Sequence, residues 1–249
     1  MTIIASDYDG TLNHGGIDDA KREAISRWRR AGNLFGLVSG RGRHELVPLA
    51  VDNNIECDFV IADNGAVVLR PDGTVLCETR IDGSLAVPIL KEIFSLSSTV
   101  GLLNAVPHFV VKAEGTELLP GECRIDELPE VPWFNQIGTF LRDFDEARRV
   151  TEIIRERFGK FVNPMQNGYC INIVPAGVNK ARGIYGLLTA IGASCDDVIT
   201  VGDNINDADM LEEFRSYAMA NGVPAIKEIA NEVTESVTEM IYRELERQN

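Results

Sequence analysis

The chain has 249 residues, 45% hydrophobic and 25% charged, with a formal net charge of −14; this is the composition of a folded globular protein, long enough for one large domain or two modest ones. So negative a surface repels nucleic-acid phosphates, and no dense Lys/Arg cluster offsets it: Arg27, Arg29 and Arg30 read as one solvated turn of a helix. No stretch approaches membrane-spanning length, the histidines His14, His44 and His108 are too few for a His-rich zinc site, and the cysteines Cys57, Cys77, Cys123, Cys170 and Cys195 form neither a CxxC pair nor a disulfide pattern, which points to reduced thiols in the cytoplasm.

Residues 2–6 read as a buried strand. Asp18 to Ala31 reads as a helix capped by Asp18 or Asp19, with Ala20, Ala24, Ile25 and Trp28 near one face and Gly32 at its end. Leu34 to Val38 is a second apolar run, His44 to Val51 a helix interrupted by Pro48, and Phe59 to Ala62 a third strand. This alternation is that of a parallel sheet with helical crossovers. AVVLRPDGTVLCE then reads as a hairpin turning at PDG. Between Asp82 and Pro175 the pattern changes: residues 84–96 and 143–158 look helical, and 108–112, 135–141 and 169–174 look extended. That order predicts an α+β insertion with an antiparallel sheet. The alternation returns with a helix from Val178 to Ile191, strands at Val198 to Val201 and Tyr217 to Ala220, a helix from Ala208 to Phe214, and two terminal helices. The expected fold is α/β, a doubly wound parallel-sheet core from residues 1–81 and 176–249 with an α+β domain inserted at 82–175.

Four of the apolar runs end in polar motifs: Asp7-Tyr8-Asp9-Gly10-Thr11, Ser39-Gly40-Arg41, Asp63-Asn64-Gly65, and VITVGDNIND with Asp203, Asn206 and Asp207. Lys180 lies at the start of the helix before the last of these. Any one motif alone reads as a cap or a turn. In open α/β sheets, however, ligands bind beyond the carboxyl ends of the strands, where all four would converge. Asp7, Asp9 and Asp203 brought together would repel one another, and a hard oxygen-seeking cation such as Mg2+ relieves that repulsion. An anionic phosphate can then approach a carboxylate acting as nucleophile, with a second carboxylate serving as acid and then base. Lys180 and Ser39 would stabilise the phosphoryl group, and backbone N–H groups around Gly10 would face it.

DYDGT, VSGR, GVNK and GDNINDADM, in that order, closely resemble the motifs of the haloacid dehalogenase superfamily. The insertion resembles the type-two, subtype-B cap of its Cof-type members in length and placement. The resemblance covers about residues 1–80 and 176–249. It implies that Asp7 is the nucleophile and a Mg2+ ligand, and that Asp9 is the acid/base and binds Mg2+ through its backbone carbonyl. It implies phosphate binding by Ser39, with Gly40 beside it, and by Lys180. Asp203 would be the acidic metal ligand, Asn206 and Asp207 would support phosphate and metal, and Asn64 would lie near the substrate. Tyr8 stands where Leu or Phe is commoner and is expected to point away from the two aspartates; the Gly-rich LNHGGIDD is expected to make a mobile flap.

Of the remaining polar residues, Arg41 and Arg43 read as surface or helix-start contacts, with attraction of the phosphate as the alternative; Asp63 reads as a strand-end cap, and His14 and His108 as solvent or packing residues, with contact to substrate as the alternative. Trp28 reads as core, Trp133 as part of a Pro-rich loop, Asn167-Gly168-Tyr169 as a turn, and the C-terminal helix as packing on the core. The expected activity is Mg2+-dependent hydrolysis of a small phosphorylated metabolite, a sugar phosphate or similar, through an aspartyl-phosphate, with no nucleic-acid or membrane partner. The alternatives are a phosphomutase of the phosphomannomutase type and a non-catalytic phosphate-binding regulatory module. Neither the oligomeric state nor the individual substrate is legible in the sequence.

Overall fold

The structure, a computed structural model, describes residues 1–248. The chain begins with β1 (Ile3–Asp7), α1 (Asp19–Arg30), β2 (Leu34–Val38), α2 (Arg43–Asp52), β3 (Phe59–Ala62), β4 (Val67–Leu69) and β5 (Val75–Glu78). It continues through β6 (Ile81–Asp82), α3 (Ala86–Leu96), β7 (Val100–Asn104), β8 (Phe109–Lys112), β9 (Glu122–Arg124), β10 (Trp133–Phe134), β11 (Gln136–Phe140), α4 (Phe144–Phe158), β12 (Val162–Asn167) and β13 (Cys170–Pro175). It closes with α5 (Lys180–Ile191), β14 (Val198–Gly202), α6 (Ala208–Glu213), β15 (Arg215–Met219), α7 (Pro224–Ile229), β16 (Glu232–Thr234) and α8 (Val237–Gln248). Two compact units result, one from Met1–Cys77 together with the chain from Asn179 onward, the other from Glu78–Val178.

In the first unit the sheet order is β16-β15-β14-β1-β2-β3-β4-β5, parallel from β16 through β3, with β4 antiparallel to β3. Strands β1, β3 and β14 are buried along their whole length. This is why they read as continuous apolar runs rather than alternating ones: helices cover both faces of a parallel sheet. The early strands add outward from β1 on one side and the late strands from β14 on the other, so the order reverses between β1 and β14. Such a reversal opens a crevice at the carboxyl ends, and the register Ser6↔Val201 brings the end of β1 level with that of β14.

Helix α1 is capped by Asp18, whose side chain accepts from the Lys21 amide, and it buries Ala24, Ile25 and Trp28. Ala20, expected on that face, is exposed, and Lys21 is buried instead. Its ammonium leaves water because it donates to the carbonyls of His14 (2.7 Å) and Gly16 (2.5 Å), so it ties down the Gly-rich segment read as a mobile flap. Pro48 does not interrupt α2 but lies inside it, removing one donor from the ladder without ending the helix. Helix α8 buries Val237, Met240 and Ile241 and packs on α1, and the short strand β16 precedes it where the sequence had shown only helices.

The second unit has a six-stranded sheet, β12-β13-β11-β7-β8-β9, and a small pair, β10-β6. The sheet is antiparallel except that β8 and β9 run parallel, which corrects the expectation of a purely antiparallel one. Ile89, Leu90 and Ile93 of α3 and Val150 and Ile154 of α4 form one core with Leu103, Ile137, Ile171 and Ile173 of the strands. Gly101 leaves room for Leu90 here: a Cβ at that position would lie 2.3 Å from Leu90 Cδ2, so the leucine tip would have to move. Strands β7, β9 and β12 were not expected from sequence. β12 contains Pro164, which argues against a central strand, and the fold places it at the sheet edge, where a missing donor is tolerated.

Candidate active site

Strand β1 delivers Asp7 at its last position, 5% exposed. The chain then turns through Gly10, whose φ of +82° is easy only for glycine, and a Cβ there would lie 2.5 Å from Asp203 Oδ2. The missing side chain therefore leaves room for the Asp203 carboxylate. The next residue, Thr11, donates its hydroxyl to Asp203 Oδ1 at 2.7 Å, and Asn221 Nδ2 donates to the Gly10 carbonyl at 2.9 Å.

Asp203 follows β14, and a 3₁₀ turn, Ile205–Asp207, folds the chain back. Asp207 is 1% exposed. Its Oδ2 accepts the amides of Asp203 and Asn204, each at 3.0 Å. Gly202 makes this approach possible, since a Cβ there would lie 2.6 Å from the Asp207 carboxylate. Asn206 sits half-buried on the same turn.

Lys180 is the first residue of α5, whose N-cap Asn179 accepts from the Arg182 amide. The lysine is completely buried, and its Nζ donates to Asp7 Oδ1 at 2.7 Å and to Asp207 Oδ1 at 2.5 Å. Burial alone would push this ammonium down, but the Asp207 and Asp7 carboxylates outweigh it and hold it above its ordinary range. Burial raises the Asp7 carboxyl well above the usual carboxylate range, with Asp207 and Asp203 adding to the rise against the pull of Lys180. Burial also raises Asp203.

The ends of β2 and β3 complete the edge. Ser39 is 2% exposed, its amide bonded to the Ile61 carbonyl and its Oγ accepting from the Arg41 amide at 3.2 Å, with Gly40 half-buried between them. Asp63 follows β3 as the first residue of a 3₁₀ turn, Asp63–Gly65. It and Asn64 both take left-handed backbone angles, φ 53° and 51°, and their amides donate to the carbonyls of Arg41 and Ser39, each at 2.9 Å. Gly65 follows at φ +100°, and a Cβ there would lie 2.0 Å from the Asn179 carbonyl, so the turn rests directly on the start of α5.

The structure thus brings Asp7, Lys180, Asp203 and Asp207 together, with Ser39 and the buried Asn64 on the adjoining strand ends. The Asp9 carboxylate is not part of this group. Half-exposed, it accepts two hydrogen bonds from Arg41, Nε to Oδ2 at 2.6 Å and a terminal nitrogen to Oδ1 at 2.9 Å. Sequence reasoning read Arg41 as a surface or helix-start contact, or else as an attractor of phosphate, not as a partner of Asp9, and gave Thr11 and Asn221 no role. Thr11 lay inside the DGT motif and could have been found there; no local pattern marks Asn221. Tyr8 is buried, as its neighbours in β1 are, with the Arg41 guanidinium 5.9 Å from its ring centre.

One oxygen from each of Asp7, Asp203 and Asp207 lies within 4.8 Å of the others. The all-oxygen donor set suits a hard divalent cation rather than a soft one, and the space beside Gly10 that a Cβ would fill keeps Asp203 within reach of it. The bonds already made to Asp207 do not bar it, because a carboxylate offers about four lone-pair sites. These residues fit Mg2+.

A sequence profile of the haloacid dehalogenase-like hydrolases matches residues 4–241. The putative phosphatase YxeH of Bacillus subtilis is 26% identical over 253 residues, covering 95% of this chain and 94% of the relative. A phosphoglycolate phosphatase of Methanothermobacter thermautotrophicus is 28% identical over 259 residues, 98% of each chain. The solved structure of the subclass IIB sugar phosphatase BT4131 superposes with a TM-score of 0.77 at 17% identity, over 98% of each chain. That match carries the fold, a parallel-sheet core with an inserted cap domain. Among the described residues, no helix is long and apolar enough to cross a membrane. With a profile spanning nearly the whole chain and a strand-end carboxylate cluster in place, the protein belongs to the haloacid dehalogenase-like hydrolases and is a phosphoric monoester hydrolase of that family.

Proposed function

We propose that the protein hydrolyses a small phosphorylated metabolite, a sugar phosphate or one of similar size, through an aspartyl-phosphate on Asp7, with Mg2+ as cofactor. The observation that carries this reading is the buried Asp7–Lys180–Asp207 group beside Asp203. Buried charges are so unfavourable that structure alone gives little reason to gather three of them next to a fourth. Named relatives act on different phosphates, phosphoglycolate and a sugar phosphate among them, so the phosphoryl end is the shared part of the substrate. The free thiols of all five cysteines accord with action in the cytoplasm.

Asp7, Asp203 and Asp207 would hold the cation together with the Asp9 carbonyl; bound there, Mg2+ supplies the positive charge that lets an anionic phosphate come up to an anionic carboxylate. Asp7 attacks phosphorus through a carboxylate oxygen that Lys180 orients. Lys180, with two of its three N–H donors on Asp7 and Asp207, has a third for the phosphoryl oxygen, and the Ser39 hydroxyl can donate to another. Asn64, Gly40 and Asn206 line the strand ends where the phosphate sits. Asp9 gives a proton to the departing alkoxide, then takes one from the water that cleaves the aspartyl-phosphate. Asp7 is returned with release of inorganic phosphate.

The test is phosphate release from a panel of sugar phosphates, nucleotides, cofactor phosphates and one aryl phosphate, with Mg2+, with chelator, and with Asp7→Asn. Release that needs Mg2+ and vanishes in the variant is expected. Turnover by Asp7→Asn near that of the wild type would overturn the mechanism, and dependence on a bisphosphate without net release would replace hydrolysis by mutase chemistry.

A further inference from the structure

We propose that Arg41 is a positioning residue for Asp9, holding its carboxylate in one orientation from a backbone that the left-handed turn after β3 locks in place. This rests on the phosphatase reading above and adds to it a group that the reading does not use.

The contact is two-pronged. Nε and a terminal nitrogen of Arg41 each donate to a different oxygen of Asp9, at 2.6 and 2.9 Å. A guanidinium fork on a carboxylate fixes direction and plane together, which one hydrogen bond or an ammonium cannot do. Both side chains are well exposed, 38% and 48%, and an exposed ion pair contributes little to stability by itself. Stability is therefore a poor account of the arrangement.

What singles the pair out is how firmly the arginine is mounted. Its amide donates to Ser39 Oγ at 3.2 Å and its carbonyl accepts from the Asp63 amide at 2.9 Å. The guanidinium lies over the buried ring of Tyr8, 5.9 Å from its centre, and Glu45 of α2 stands 3.6 Å from its other terminal nitrogen. Asp63 and Asn64 are consecutive non-glycine residues in left-handed conformations, φ 53° and 51°. Such strain persists only where its surroundings impose it, and here it aims successive amides at the carbonyls of Arg41 and Ser39. One strained turn thus sets both the proposed phosphate-binding hydroxyl and the arginine that orients Asp9. Asp9 itself is half-exposed in a loop next to Gly10, so its orientation must come from outside its own segment.

The experiment measures kcat and KM for Arg41→Gln, Arg41→Lys, Asp9→Asn and the double variant Asp9→Asn/Arg41→Gln, and determines crystal structures of the wild type and Arg41→Gln. Arg41→Gln is expected to lower kcat roughly tenfold to a hundredfold, within what positioned acid–base groups contribute, with KM changed no more than about threefold. Arg41→Lys keeps the charge but not the fork and should recover little. The double variant should be no slower than Asp9→Asn, because the arginine acts through the carboxylate. A raised KM with kcat unchanged would make Arg41 a substrate grip, and additive losses in the double variant would place its action elsewhere; either overturns the proposal, as does wild-type kinetics. In the crystals, Asp9 should be single and paired in the wild type but reoriented in Arg41→Gln. An unmoved Asp9 overturns the proposal even if no phosphate is ever released, the outcome that would refute the phosphatase reading alone.

Discussion

In the first unit, strands β1 and β14 are buried from end to end and stop on charge: Asp7, Lys180 and Asp207 are 5%, 0% and 1% exposed. In the second unit, strands such as β7 and β13 begin with half-buried and buried positions in alternation, and the strand side of its core is apolar. Its buried polar residues, Ser98, Asn104, Asn135, Gln136, Thr139 and Thr151, are neutral; only Glu146 carries charge, against the exposed Arg142. The interior polar groups of the second unit are thus mostly hydroxyls and amides. A layer built for phosphoryl chemistry keeps ionised groups out of water and must hold them by pairing, because an unpaired buried charge is far more destabilising than a paired one.

The strongest way to break this comparison is Lys180→Met, which leaves Asp7 and Asp207 without their shared cation. Loss of about 3–5 kcal/mol in urea unfolding is expected, as for one partner removed from a buried pair, with part restored by Mg2+. Unchanged stability would mean that pairing with Lys180 is not what holds the buried carboxylates. In the second unit, Ile137→Ala should cost about 2–5 kcal/mol through an ordinary cavity, while the rise in melting temperature on adding Mg2+ stays as in the wild type. A lost Mg2+ increment would contradict assignment of the metal ligands wholly to the first unit. Gly65→Ala adds left-handed strain and a clash with the Asn179 carbonyl; about 1–3 kcal/mol is expected, with a fall in kcat because Lys180 begins the helix it displaces.

The smallest effect is in acid. Hydrogen bonds from Arg142 lower the Glu146 carboxyl to about 2. A carboxyl lowered by folding contributes stability above its unfolded value, and that stability is lost as pH falls toward 2. Glu146→Gln should therefore flatten the acid limb of the second unit's unfolding below about pH 4. An unchanged limb would show that the pair is solvated in solution.

Legibility also divided along the two units. Leu34–Val38 and Phe59–Ala62 emerged with the bounds they have in the fold, because strands buried on both faces are short apolar runs cut off by polar turns. In the second unit β7, β9 and β12 escaped notice: β12 carries Pro164 and amides, acceptable only because the fold puts it at an edge. In α1 the spacing was read one residue off, at Ala20, because a lysine is not expected inside, and Lys21 is inside only because the carbonyls of His14 and Gly16 take its protons.

From the sequence alone came the βα alternation, the mid-chain change of pattern, and four polar motifs placed where strands end. These are local: side-chain periodicity and turn residues act within a few positions. Tertiary structure decided which charges meet. Lys180 reaches Asp7 across 173 residues, and Asp9 turns to Arg41 instead of joining the other three aspartates. The left-handed angles of Asp63 and Asn64 are set by carbonyls on the neighbouring loop. Like charges are interchangeable in a sequence; the sheet order and the helix start that bring them within hydrogen-bond reach are what make one of them a partner.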